Sequence, residues 1–94
     1  MFLKDYIPNL NQKFTNVNFS GIAFDSSKVK KNYIFFALKG KKTDGHNYID
    51  KAVQNGASLV VVDKIQRNIK IPQIQVRSVH RAMIKLAKNY RKDL

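Results

Sequence analysis

Gly21-Ile-Ala-Phe-Asp-Ser-Ser-Lys-Val29, Tyr33-Ile-Phe-Phe-Ala-Leu-Lys-Gly40, Thr43-Asp-Gly-His-Asn-Tyr-Ile49 and Ala52-Val-Gln-Asn-Gly-Ala-Ser-Leu-Val-Val-Val62 together decide the fold. Two β-like runs end in polar loops, a helical pattern follows, and a third β-like run closes the unit. The first loop carries Asp25, Ser26 and Ser27; the second carries Gly40, Lys41, Lys42, Thr43, Asp44, Gly45 and His46. If the first two strands are parallel neighbours, both loops emerge at one edge of the sheet, where open α/β sheets bind ligands. The expectation is an α/β domain, a small sheet with a central βαβ unit and flanking helices, and a small-molecule site on that edge.

Working outward, Tyr33 to Leu38 is nearly all apolar, as a strand buried on both faces would be, and reads as the central strand. Phe19 to Phe24 reads as a strand with Gly21 as a bulge or a close-packing point. Lys31-Asn32 suits a turn, because Asn tolerates the left-handed region. A helix is expected over roughly Asn47 to Asn55, with Ile49, Ala52 and Val53 as its buried stripe and Gly56 as its stop. Leu59 to Val62 is a short buried strand, and the crossover to it is expected to be right-handed. Asp63 to Lys70 is a charged loop. Gln73 to Val76 alternates and reads as an edge strand. Ser78 is a suitable N-cap for a last helix, with Val79, Met83, Leu86, Ala87 and Tyr90 on one stripe and Arg81, Lys85, Lys88 and Arg91 exposed. Upstream, Met1 to Ile7 has helical spacing ended by Pro8, expected to pack on the sheet edge, and Asn9 to Asn18 reads as a loop.

Composition sets the limits. The 94 residues are expected to make one domain with a single modest core. No apolar run approaches the roughly 18 residues of a membrane span, and Met1 to Tyr6 lacks a signal-peptide core. There is no cysteine, so no thiol or zinc-thiolate chemistry, and a cytoplasmic location is the default expectation. The net charge of +12 raises the question of a nucleic-acid partner. Fourteen of the 18 cations are lysine and they are spread along the chain, which matches composition bias from an AT-rich coding sequence better than a clustered footprint.

Candidate chemistry is sparse. Gly40-Lys41-Lys42-Thr43 lacks the first glycine of a Walker loop. His46 and His80 are too far apart to pair as metal ligands, so no metal site and no catalytic residue is expected. A Ser26-His46-Asp25 assembly has no nucleophile elbow around it. Asp25 reads as a turn brace, Asp44 as a helix cap, Gly45 as a freedom of backbone and His46 as a loop-fixing partner. Ser26 is either a ligand contact or a plain turn serine. Lys41, Lys42 and Thr43 offer charge, hydroxyl and backbone amides to a diphosphate or a uracil edge, or are simply solvated.

The ordered set Asp25-Ser26-Ser27-Lys28-Val29, Phe35 to Gly40, Asp44 to Ile49, Ala52, Gly56-Ala57 and Val60 to Val62 resembles the N-terminal domain of the Mur ligases. It is most similar to the MurE type, UDP-N-acetylmuramoyl-tripeptide synthetase, as are the short lead-in before Asp25 and Ile74 to Ser78. The resemblance implies that residues 1–94 are a single UDP-substrate-binding domain, with the ATP-binding central domain and the C-terminal domain of the parent enzyme absent. It implies that Phe24, Ser26, Lys41, Lys42 and Thr43 line a uracil-ribose-diphosphate site. The parent reaction would be ATP-dependent amide formation on UDP-N-acetylmuramoyl-L-alanyl-D-glutamate, with meso-diaminopimelate as the added amino acid. ATP and Mg2+ would belong to the parent enzyme, with no cofactor in these residues and no membrane partner. Two departures stand out: Ser27 where the family usually has Arg, and Lys31-Asn32 where it usually has Pro-Gly. The alternatives are a MurF-type ligase domain and, from another class, a small basic nucleic-acid-binding module.

Overall fold

The computed structural model describes residues 2–3, 12–14, 17–40 and 44–92, leaving aside the side chains of 13 and 89–92. Four strands, β1 (Gly21–Ala23), β2 (Tyr33–Phe36), β3 (Leu59–Val62) and β4 (Gln73–Gln75), form one sheet in the order β1-β2-β3-β4. Every pairing is parallel, with Ile22 opposite Ile34, Phe35 opposite Val60 and Val61 opposite Ile74. The expected central strand is therefore central and the alternating one lies at an edge. The strands are shorter than the apolar runs. Phe19 and Ala37 are buried outside them, and Ala37 still donates its N–H to Val61 O at 3.0 Å.

Alternation along β2 and β3 divides the core between two faces. Ile34, Phe36, Leu59 and Val61 pack with Leu3, Phe14, Phe19, Val79 and Leu86 beneath helix α2 (Val79–Lys92). Phe35, Val60 and Val62 pack with Val29, Ile49, Ala52 and Ala57 beneath helix α1 (Ile49–Gln54). A strand covered on both faces has no use for alternating polarity, which is why these runs are continuously apolar. All three connections lie on the α1 face. Val29 fills it between β1 and β2, α1 between β2 and β3, and Ile69 and Ile71 between β3 and β4. An unreversed strand order with every crossover on one face gives crossovers of a single hand. Two of them dispense with an α-helix, although parallel neighbours usually need a connection of about a dozen residues.

Local chemistry sets the element ends. Ser78 Oγ accepts from the N–H of Arg81 at 3.2 Å and caps α2, as expected. On α2, Val79 and Leu86 are buried and Met83 and Ala87 half-buried, while Arg81, Lys85 and Lys88 are exposed; Tyr90 and Arg91 have no described side chain. At the end of α1, the Gly56 N–H donates to Val53 O and the Ala57 N–H to Ala52 O, the paired bonds of a Schellman stop, with Gly56 at φ +112°. The Gly56 carbonyl accepts from Asn32, itself at φ +68° in the turn expected there. At Gly21 the Tyr33 ring lies where a Cβ would sit, so this glycine is a close-packing point.

The expected helix over residues 47–55 starts differently: a 3-10 turn over Gly45–Tyr48 runs directly into α1. At the N-terminus Phe2 bridges Asn18 and the Leu3 N–H donates to Val17 O. The rest of the helix expected over residues 1–7 lies outside the described residues. The segment read as a loop contains a 3-10 turn, Gln12–Phe14, that buries Phe14.

Candidate functional site

Because all four strands are parallel, the chain leaves each of them at the same edge. β1 gives way to Phe24–Val29 and β2 to Ala37–Gly40, and the chain returns at Asp44–Tyr48. Asp63 follows β3 and Arg77 follows β4. The strand order never reverses within the described sheet, so the hollow at this edge is no switch-point crevice. It forms because two aspartates turn their loops in the same way.

Asp25 ends β1 with φ −106° and ψ 119°, and Asp44 precedes the 3-10 turn with φ −112° and ψ 120°. Each carboxylate accepts from the backbone N–H two residues ahead, Ser27 and His46, both at 3.0 Å. Each also takes a second bond from that residue's side chain: Ser27 Oγ at 2.7 Å and His46 Nδ1 at 2.7 Å. A carboxylate only accepts, so His46 Nδ1 carries the proton in this bond. The Ser27 hydroxyl and then its N–H hold the Asp25 carboxyl below the ordinary value of 3.8. For Asp44 the His46 backbone N–H is the main cause of the same lowering, opposed by desolvation and helped by the imidazole. Turn brace and helix cap are thus the roles Asp25 and Asp44 play. Ser27 is the residue that fixes Asp25.

Further bonds fix the positions of both loops. Asn55 Nδ2 donates to Ser26 O at 2.8 Å, tying the end of α1 to the first loop. In the second loop the Gly45 N–H donates to Leu38 O at 2.6 Å, and Lys39 and Asp44 form an isolated bridge. A Cβ on Gly45 would lie 2.7 Å from Leu38 N and O, so the close backbone approach, more than freedom of φ, requires glycine here. His46 has a side chain only 8% exposed, and its Nε2 lies 2.9 Å from Asp63 Oδ1. That contact is not a hydrogen bond. The loop-fixing role expected of His46 is met by Asp44, with Asp63 as a second anionic neighbour at the end of β3.

These loops enclose a cleft of about 470 Å³ lined by Phe24, Asp25, Ser26, Ser27, Leu38, Gly40, Gly45, Tyr48 and Lys51. Ser26 is the buried polar residue of the described core, 6% exposed. Phe24 is 61% exposed and Tyr48 is 43% exposed. Of the residues expected in a ligand site, Phe24 and Ser26 are brought together here. Lys41, Lys42 and Thr43 lie outside the described residues, but Gly40 on one side of them lines the cleft and Asp44 on the other closes the loop. The Ser26-His46-Asp25 assembly is not formed, since Asp25 is engaged by Ser27 and His46 by Asp44. No group of residues able to hold a metal ion occurs among the described residues. None of their helices is long and apolar enough to cross a membrane.

Tyr48 and Lys51 escaped the sequence reading. The signal was present: they are three residues apart, as helix neighbours are, and stand one position before Ile49 and Ala52 of the buried stripe. That offset turns them from the core toward the edge. A second hollow of about 450 Å³ shares Leu38 and Gly40 with the first and is flanked by Lys39, Asp63, Arg77 and His80.

The chain has four similarities to known proteins that bear on this geometry. The model of the Mur ligase family, catalytic domain, matches residues 18–91. The UDP-N-acetylmuramoyl-L-alanyl-D-glutamate--2,6-diaminopimelate ligase of Fusobacterium nucleatum is 39% identical over 89 residues, covering 94% of this chain and 17% of that protein. Among solved structures, MurF from Acinetobacter baumannii superposes with a TM-score of 0.70 at 28% identity, covering 96% of this chain and 18% of that one. MurF from Thermotoga maritima, solved in complex with ADP, gives 0.66 at 30% identity, with 78% and 17% covered. The chain spans about one-sixth of the length of the relatives it matches.

Proposed function

The chain belongs to the Mur ligase family, and from that premise we propose that it is the N-terminal domain that holds the UDP part of UDP-N-acetylmuramoyl-L-alanyl-D-glutamate in a MurE-type ligase. The observation that carries this reading is the cleft at the sheet edge, where Phe24 and the buried Ser26 meet Gly40 and Gly45, beside the bridge between Lys39 and Asp44. An aromatic face, a hydroxyl and backbone groups held by two aspartate turns are what a uridine needs for stacking and edge recognition. Lys41, Lys42 and Thr43 then receive ribose and diphosphate. Asp25, Asp44, Gly45 and His46 hold the loops and do not touch the reacting atoms.

The 94 residues carry no Walker loop, so activation of the substrate carboxylate by ATP and Mg2+ belongs to the central domain of the parent enzyme. This domain contributes substrate binding and no chemistry of its own. The added amino acid is 2,6-diaminopimelate, as in the name of the Fusobacterium nucleatum relative, and the reaction takes place in the cytoplasm. A second reading, a MurF-type ligase acting on the longer tripeptide precursor, is favoured by one observation, that both solved structures described above are MurF enzymes. It places the same nucleotide in the same cleft.

The test is substitution in the full-length enzyme. Ser26→Ala and Thr43→Ala should each raise the KM for the UDP-linked substrate by about fivefold, the worth of a hydrogen bond, with the KM for ATP unchanged. An unchanged substrate KM in both variants would show that the nucleotide sits elsewhere.

A further inference from the structure

Two of the five exposed large hydrophobic residues among those described, Phe24 and Tyr48, line the same cleft. An aromatic ring left in water beside a buried hydroxyl gains from being covered, and a planar ligand ring covers it. Stacking of this kind accepts any base, because every base presents a π face. It therefore brings in the nucleoside without reading its phosphates.

Lys51 supplies a different element. It lies on α1, three residues after Tyr48 at the end of the 3-10 turn, and among the described lining residues it is the cation. The ion pairs found among the described residues are those of His46, so no described carboxylate pins the Lys51 ammonium within 4.0 Å. At Asp25 the Ser27 hydroxyl and N–H are the main causes of the lowered carboxyl, and the charges of Lys28 and then Lys51 add to it. Asp25, whose Oδ1 accepts two bonds from Ser27, makes no ion pair with Lys51. The chain has many lysines, but this one stands on the wall of an aromatic-lined hollow, whereas Lys85 and Lys88 stand on the solvent side of α2.

We propose that Lys51 is a further residue, on a different wall from the loop assigned to the diphosphate above, by which this cleft distinguishes a nucleoside phosphate from a bare nucleoside, with Tyr48 as the stacking wall that fixes the ring. The proposal rests on the nucleotide-binding reading above and deepens it. An ammonium on a flexible stem reads charge at a distance from the ring. Its contribution should therefore grow with the number of phosphates and vanish for uridine.

The test uses the full chain titrated with uridine, UMP and UDP, followed by NMR at one ionic strength, with Lys51→Met, Tyr48→Ala and the control Lys85→Met. Lys51→Met should weaken UDP about fivefold and leave uridine unchanged. Tyr48→Ala should weaken all three ligands by a common factor of about ten. Lys85→Met should behave as the unaltered chain. An unaltered ratio of UDP to uridine affinity in Lys51→Met would overturn the proposal, as would an equal loss in Lys85→Met, which would mean bulk charge. If the unaltered chain binds none of the three ligands, the nucleotide-binding reading fails and the proposal with it, a result plainly different from an unaltered ratio.

Discussion

Asp25 and Asp44 do the same work on two loops, and their backbone angles differ by only a few degrees. Both carboxyls are held below 3.8 because hydrogen bonds favour the charged form. For a depressed carboxyl the sign is fixed. The turn's contribution to stability is complete above the unfolded value of 3.8 and is lost as pH falls through the lower folded value. A pH titration of the Ser27 and His46 amide resonances should therefore show midpoints below 3.8. A midpoint at or above 3.8 would mean that these bonds do not persist in solution. Both turns were legible in the sequence, since Asp two residues ahead of an available N–H is a local arrangement. That Ser27 would supply both of Asp25's donors was not, because nothing in the string distinguishes a capping serine from a solvated one. Asp63's approach to His46 depends on where β3 ends relative to β2, a register that only the folded sheet fixes.

At the scale of elements, the cleft depends on how α1 is held. The helix has six residues, too few for propensity alone to sustain it. It stands because Ile49 and Ala52 are buried, Asn55 is bonded to Ser26 and Gly56 closes the end. A Cβ at Gly56 would meet Lys31 Cα at 2.7 Å as well as the unfavourable φ of +112°. Gly56→Ala should cost about 2 kcal/mol, read as a lower midpoint in urea with unchanged slope. A midpoint equal to that of the unaltered chain would show that the stop is not strained by a side chain. The helix and its stop were legible from the stripe and the glycine. Its 3-10 beginning was not, because the bond from Gly45 to Leu38 draws the chain in before the helical pattern starts. The short strands were misjudged in length for a related reason. Phe19, Phe24, Ala37 and Leu38 are apolar, but the chain leaves the ladder before or after them to make the turns. Apolarity reports burial or ligand contact, and at Phe24 it reports an exposed wall of the cleft.

For the molecule as a whole, the parallel sheet collects the loops that follow its strands at one edge, and the two faces of β2 and β3 give it a core on either side. This architecture was readable from the unbroken apolar runs and the βαβ spacing. The helix-free crossover after β3 was legible as a charged loop; that Ile69 and Ile71 in it would pack on the α1 face was not, because they give no periodic signal. The net charge of +12 acts on the whole molecule too. It attracts any polyanion, and that attraction decays steeply with salt, whereas a shaped nucleotide site loses much less. The most direct test of the central claim is therefore an amide NMR titration of this chain with UDP-N-acetylmuramoyl-dipeptide and with a random-sequence oligonucleotide, at low and at physiological salt. Shifts confined to residues 24–27, 40–48 and 51 with the UDP ligand, persisting at physiological salt, are the predicted result. Localised, salt-resistant shifts with the oligonucleotide and none with the UDP ligand would contradict it.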